Sequence, residues 1–211
     1  MRHSFQFGLL GLLIGLIGLP PSAQAFYSHL TTGDITPTGK FEGLAETQIL
    51  TSNQTGINIT GRIDYGLGDS STLRGLLGFG YTDYQLGGFY KWVPFPDTET
   101  QPAVGILAGV LVAKQDDVTE VSLRAHPMAS KVFPSEVGRF NAYLALPLGI
   151  RNSNGGTDAT MQMAIGTKFN NPEWNKYFWY VEAGINIVNA SSYISFGLKT
   201  SLDDDLGFKG E

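Results

Sequence analysis

The feature that most constrains this chain is a regular alternation of apolar and polar side chains, clearest in GINITGRIDYGLG, residues 56–68. Apolar residues such as Ile57 and Ile63 occupy every second position, and polar residues such as Asn58 and Arg62 lie between them. Because successive side chains of a β-strand point to opposite faces, this pattern predicts a strand with one apolar and one polar face. The apolar face points inward in a soluble β-sandwich, but it contacts lipid in a membrane-spanning barrel. The fold therefore depends on which face is inside.

The same alternation continues along most of the chain and predicts about ten strands, with eight to twelve compatible with the pattern. They span residues 40–52, 56–67, 71–83, 84–95, 102–114, 118–128, 139–151, 158–169, 177–188 and 192–202. Short segments rich in Gly, Pro, Asn, Asp and Ser, which favour turns, separate them. Since short connections cannot join parallel strands, the sequence predicts an all-β fold of sequential antiparallel hairpins.

One segment, residues 117–128, also fits a helix. Asp117 could cap that helix, Glu120 would complete a capping-box-like pair, and Val121 would share an apolar face with Ala125. The β-branched residues and the neighbouring strands favour a strand. The two alternatives differ in the strand count that they give.

Strand length and the composition of the two faces favour a membrane barrel over a sandwich. The predicted strands run for about eleven to thirteen residues, longer than is usual in soluble sheets and close to the length that crosses a bilayer. The apolar faces carry no charge, as in the stripe that contains Leu144 and Leu146. The opposite faces combine Gly with sparse charges of both signs, which could pair in a narrow lumen. We therefore predict a single up-and-down transmembrane barrel with its apolar face outward.

This orientation predicts the residues of the lumen and of the membrane interface. The charged residues expected to line the lumen are Arg62, Asp64, Arg74, Lys91, Glu120, Arg124, Arg151, Lys168, Glu182 and Lys199. The aromatic residues near predicted strand ends, expected in the interfacial girdles, are Tyr65, Tyr81, Tyr84, Trp92, Tyr177, Trp179 and Tyr193.

The ends of the chain depart from the strand pattern. Residues 1–25 begin with Arg2, continue with an apolar run and end in Ala23-Gln24-Ala25, which predicts a secretory signal peptide cleaved after Ala25. Residues 26–39 form an irregular lead, residues 40–202 the β-barrel domain and residues 203–211 an acidic tail. The formal net charge of −5 argues against a nucleic-acid partner, and the absence of Cys excludes disulfides.

The pattern resembles that of the small outer-membrane β-barrel proteins of Gram-negative bacteria, over nearly all of the chain after residue 25. In the last strand, Ser195, Gly197 and Leu202 partly match the spacing that such proteins present to their insertion machinery. Thr200 departs from the pattern, as does the tail that continues beyond the strand. The resemblance implies an outer-membrane location with contacts to lipid and to that machinery, and both termini on the periplasmic side. The lead could then plug the periplasmic mouth.

Residues for chemistry are few. The sequence indicates no catalytic site, metal site or cofactor, because no motif unites a nucleophile with a base or spaces ligands around an ion. A lipid A deacylase site would place a serine next to the histidine, and His126 has no such neighbour in the sequence.

Several functions remain open at this point. The first reading is an outer-membrane barrel that is not an enzyme, acting either as a narrow channel for ions or small solutes or as a structural protein with a filled lumen. The alternatives are a secreted or periplasmic soluble barrel or sandwich that binds an apolar ligand, and a lipid-modifying barrel enzyme. The sequence does not indicate an oligomeric state.

Overall fold

The computed structural model describes residues 28–52, 55–153, 156–171, 173 and 176–203. The predicted signal peptide and nearly all of the predicted acidic tail lie outside these residues. Within the described ranges, no helix is long and apolar enough to cross a membrane.

The described chain is built from antiparallel strands that close into a barrel. The strands are β1 Phe41–Leu50, β2 Gly56–Gly68, β3 Ser71–Gly80, β4 Tyr84–Phe95, β5 Ala103–Gln115, β6 Val118–Ser135, β7 Gly138–Ala145, β8 Leu148–Ser153, β9 Gly156–Asn170, β10 Tyr177–Val188 and β11 Tyr193–Ser201. Each strand pairs with the next, except that β7 and β8 both lie between β6 and β9. Because β11 pairs with β1, no edge is left open. The wall has ten strands, as predicted, with β7 and β8 as two parts of one.

The break between β7 and β8 is the main departure from the predicted strands, because residues 139–151 were expected to be continuous. Pro147 lies at the break and has no backbone N–H to donate to the sheet. The wall still holds together here, since the Leu146 N–H donates to the Pro127 carbonyl and the Gln162 N–H donates to the Pro147 carbonyl, each over 2.9 Å.

Strand β6 decides between the two predictions made for residues 117–128. It pairs with β5 from Val118 to Ser130, so the helical alternative is wrong. The strand is also much longer than predicted, because it continues to Ser135 and pairs there with β7.

The apolar face of the barrel points outward. Leu144, Ile185 and Phe196 are 50%, 46% and 49% exposed, whereas Arg62 and Glu182 are only 3% and 1% exposed. A soluble protein would reverse this arrangement, since its apolar side chains would meet in the centre. The barrel therefore presents to its surroundings the face that acyl chains can cover.

The two ends of the barrel can be told apart by the chain termini. Strand β1 begins where β11 ends, because Glu42 pairs with Ser201. We call this end the terminal rim. At the opposite rim, β1 ends and β2 begins, and likewise β3 and β4, β5 and β6, β8 and β9, and β10 and β11, with at most five residues between the two strands of each pair.

Candidate functional site

The candidate site is the lumen, which the inward positions of the strands line. Of the ten charged residues predicted there, nine are buried: Arg62, Asp64, Arg74, Lys91, Glu120, Arg124, Arg151, Glu182 and Lys199. Lys168 also points inward, but it lies nearer the terminal rim and its side chain is partly exposed. The alternation of side chains along a strand accounts for these positions, because each residue is separated by an even number of positions from other inward residues on its strand.

The lumen also holds a segment of the chain that the strand pattern did not place. Residues 28–38, here named the closing segment, enter the barrel from the terminal rim ahead of β1. Thr38 forms a parallel bridge with Gly66, and the Thr36 N–H donates to Thr72 Oγ1 over 3.3 Å. Deeper in, the Gly33 N–H donates to Ser130 Oγ over 2.8 Å. The segment therefore contacts both β2–β3 and β6 across the interior.

Glu182 anchors the inner end of the closing segment. Its carboxylate accepts hydrogen bonds from the backbone N–H groups of His29, over 2.7 Å, and Leu30, over 2.6 Å. It also accepts from the hydroxyls of Tyr143 and Tyr193, each over 2.7 Å. Four neutral donors thus surround one buried carboxylate and replace the water it loses.

Arg62 holds the same part of the closing segment from the other side. Its guanidinium donates to the carbonyl oxygens of His29, over 3.0 Å, and Ser28, over 3.1 Å. It also forms a buried ion pair with Glu46, whose carboxylate accepts from the Ser28 hydroxyl. Because Arg62 contacts backbone atoms, it fixes the path of the segment whatever the side chains there.

A second group of charges lies nearer the terminal rim. Arg74 pairs bidentately with Asp64, over 2.7 and 2.9 Å, and donates to the His29 carbonyl over 3.3 Å. Lys199 bridges Asp64, over 3.1 Å, and Glu42, over 2.7 Å. Opposite charges from β1, β2, β3 and β11 therefore pair inside the barrel, which offsets part of the cost of burying them.

Lys91 contacts the middle of the closing segment. Its ammonium donates to Thr31 Oγ1, over 3.3 Å, to the Thr32 carbonyl, over 3.2 Å, and to the Asp34 carbonyl. The three acceptors use the three N–H bonds of the ammonium group.

The two described histidines meet inside the barrel. His29 Nδ1 lies 3.3 Å from His126 Nδ1, and His29 Nε2 lies 3.2 Å from Met128 Sδ. Two neutral imidazoles fit these distances, with His126 donating to His29 and His29 donating to the sulfur. Among the described residues, no three His, Asp or Glu side chains are grouped so as to hold a metal ion.

The half of the lumen towards the opposite rim, here named the opposite half, contains other charged groups. Arg151 lies 3.8 Å from Glu120 and 3.3 Å from Asp158, and Arg124 donates to Ser122 Oγ over 3.1 Å. Several buried polar atoms here make no hydrogen bond to a described residue: Gln48 Nε2, Thr82 Oγ1, Gln85 Oε1 and Ser195 Oγ. Buried polar atoms of this kind are normally satisfied by water.

A small cavity of about 220 Å³ opens beside the closing segment at the terminal rim. We call it the vestibule. Its lining residues are Asp34, Val132, Arg139, Asn141, Lys168, Asn170 and Phe178. Lys168 forms an ion pair with Asp34 over 2.8 Å and lies 4.2 Å above the ring of Phe178. The Asn141 amide N–H₂ donates to the other Asp34 oxygen over 3.0 Å.

Two features of the lumen differ from the sequence prediction or were absent from it. Tyr193 is buried and bonded to Glu182, so its assignment to an interfacial girdle is wrong. The sequence did contain the signal, because Tyr193 is separated by an even number of positions from Lys199, which was predicted to line the lumen. The lead was expected at most to plug the periplasmic mouth, and its path inside the barrel carried no such signal, since residues 26–39 show no period from which a face could be read.

Comparison with known proteins gives a fold and no sequence family. No protein-family model and no curated protein matches the chain. An outer-membrane channel from Pseudomonas putida F1 is similar in structure, with a TM-score of 0.53 at 11% identity, covering 81% of this chain and 98% of that one.

Two further structures match less closely. The N-terminal β-barrel domain of Pseudomonas aeruginosa OprF gives a TM-score of 0.33 at 12% identity, covering 78% of this chain and 98% of that one. A bacterial polysaccharide outer-membrane secretin gives a TM-score of 0.44 at 10% identity, covering 77% of this chain and 65% of that one. Both scores are too low to support an argument. The closed barrel, its apolar exterior and the Pseudomonas putida structure together confirm the prediction of an outer-membrane β-barrel.

Proposed function

We propose that this protein is a structural outer-membrane barrel whose lumen is closed by its own N-terminal segment, so that it does not conduct ions in its resting state. The observation that carries the proposal is the anchoring of His29 and Leu30 by Glu182. A segment that merely drifted into the mouth would not have its backbone N–H groups bonded to a buried carboxylate.

The bonding of the closing segment supports this role along its length. Arg62, Arg74 and Lys91 all donate to its backbone carbonyl oxygens, while Glu182 accepts from its N–H groups. Each of these side chains would lose at least one hydrogen bond if the segment left, and Lys91 would lose its bonds to Thr31, Thr32 and Asp34 together. With the predicted signal peptide removed after Ala25, the segment would be preceded by only Phe26 and Tyr27.

The orientation in the membrane follows the family resemblance and remains a proposal. The terminal rim would face the periplasm, and the short connections of the opposite rim would face outside. Such connections offer little surface for a large receptor or adhesion partner. Strand β11, with its partial insertion signal, would contact the outer-membrane insertion machinery during assembly.

A second candidate function is a narrow channel, opened when the closing segment moves. The opposite half favours it, because its polar atoms without protein partners suit a hydrated passage. The lumen carries charges of both signs, so we expect no strong preference for either ion sign.

The structure offers less to the two remaining alternatives. The outward apolar face argues against a soluble barrel that binds an apolar ligand inside. His126 is buried within the barrel, against His29 and Phe89, rather than on the surface that lipid would reach. The expectation that the protein is not an enzyme and uses no cofactor stays a prediction.

Planar-bilayer recording tests the closure. We expect wild-type protein to be silent and Glu182→Gln to show frequent openings, because the neutral amide holds the two backbone N–H groups less strongly. Glu120→Gln is the matched control, since it makes the same change in the opposite half and should stay silent. Steady conductance by the wild type would refute the closure and favour the channel.

A further inference from the structure

The vestibule has the composition of a binding site rather than of a packing gap. It opens at the terminal rim and is lined by side chains of four strands and of the closing segment. Arg139 and Lys168 bring two positive charges to a cavity with a single carboxylate, that of Asp34. The net charge of the lining therefore favours an anion.

Arg139 is the group that a ligand would meet first. Its side chain is exposed at the start of β7, and it forms no ion pair with a described residue. Lys168 is already paired with Asp34 over 2.8 Å. Arg139 is therefore the cation with donors to spare, in a planar arrangement that matches a carboxylate or phosphate.

Asn141 sets a second requirement on the ligand. Its N–H₂ group donates to Asp34, which fixes the direction of the amide, and its Oδ1 atom is buried without a hydrogen-bond partner among the described residues. An acceptor in this position needs a donor, and an anion without hydrogen would place lone pairs against it.

We propose that the vestibule binds a small oxyanion that also carries a hydroxyl group. The anionic oxygens contact Arg139, and the hydroxyl donates to Asn141 Oδ1. Hydrogen phosphate and a short 2-hydroxycarboxylate share this chemistry, and the cavity of about 220 Å³ has room for either. Val132 and Phe178 offer apolar surface to a short carbon chain. The site includes Asp34, so it rests on the closing segment lying in the barrel, but it does not require that the lumen be closed to ions, because the ligand enters from the terminal rim.

The test uses the full chain in a maltoside detergent without phosphate groups, titrated by calorimetry at constant ionic strength. Inorganic phosphate and sulfate form the first pair of probes, because at neutral pH only phosphate carries a hydroxyl. Lactate and propionate form the second pair, in which only lactate carries a hydroxyl. Comparing lactate with phosphate then shows whether the site prefers a hydroxycarboxylate or a phosphate. We expect the hydroxyl-bearing member of the preferred pair to bind at least about tenfold more tightly.

Two variants test the role of the cation. Arg139→Gln should weaken binding at least about tenfold, whereas Lys40→Gln, which removes an exposed charge elsewhere on the same rim, should leave it unchanged. Heat-modifiable gel mobility checks that each variant folds. Three results would overturn the proposal. The first is that sulfate binds as tightly as phosphate and propionate as tightly as lactate, and the second is that no probe binds. The third is that Arg139→Gln binds the preferred probe as tightly as the wild type. The probe comparisons use wild-type protein alone, so they hold even if a variant misfolds.

Discussion

The two halves of the lumen are built from the same alternating strands but satisfy their polar groups differently. Towards the terminal rim, Arg62, Lys91 and Glu182 bond to the backbone of the closing segment. In the opposite half, Gln85 and Ser195 keep buried polar atoms without a partner among the described residues. The comparison teaches that a polar inner face does not by itself define a channel, since the same kind of lining can hold a peptide segment or water.

Deleting residues 28–36 should have the largest effect, because it removes the closing segment and leaves the polar groups of both halves without a peptide segment to bond to. Buried charges on the strands would lose their backbone partners, so we expect the free energy of unfolding to fall by about 5 kcal/mol, less where water replaces a lost bond. Urea titration followed by tryptophan fluorescence measures the change. The deleted protein should also conduct in planar bilayers. A folded deletion variant that stays silent would mean that other residues close the pore.

Two arginine variants compare the halves directly. Arg62→Ala leaves Glu46 buried without its ion-pair partner, so we expect a loss of about 3 kcal/mol. Arg151→Ala should cost less, about 2 kcal/mol, because one partner, Asp158, is partly exposed and the other, the buried Glu120, lies farther away at 3.8 Å. The same urea titration measures both. Equal losses would show that the opposite half is as dry as the closed one.

These halves also show how far the sequence could predict the structure. Alternation fixes the face of a residue once its strand is known, which is why β10 and the inward position of Glu182 were predicted. It gives no information on a segment without a period, so the path of residues 28–38 had to come from the structure. The predicted strand ended at residue 128, whereas β6 continues to Ser135 and includes Pro134, a residue type that is unusual inside a sheet.

The vestibule illustrates the same limit for the candidate site. Lys168 was predicted to face inward from its parity on the strand. Asp34 was not assigned, because its contact with Lys168 depends on how the closing segment enters the barrel. A site made by a strand and an irregular segment cannot be read from periodicity alone.

Cysteine labelling tests how far water reaches into each half, and the absence of native Cys makes single variants clean. Thr31→Cys lies on the closing segment and Thr82→Cys near the opposite rim, and both native side chains are buried. We expect a small water-soluble thiol reagent to modify Thr82→Cys at least about tenfold faster, because Thr31 becomes accessible only when the closing segment moves. Adding Glu182→Gln should speed the labelling of Thr31→Cys alone. Similar rates in the single variants would contradict a closed terminal half.

The smallest effect is expected at the boundary between the closing segment and the solvent. Asp34→Asn removes the ion pair with Lys168, but the pair is partly exposed and the new amide can still accept from Asn141. We therefore expect a loss of only about 0.5 kcal/mol, together with slightly faster labelling of Thr31→Cys. Asp97→Asn is the matched control, because Asp97 pairs with Lys131 at the same rim but lies outside the closing segment. It should cost a similar amount of stability and leave the labelling rate unchanged. If both variants speed labelling equally, the movement of the closing segment depends on the stability of the whole barrel. The difference between the two halves would then not be caused by the contacts of the closing segment itself.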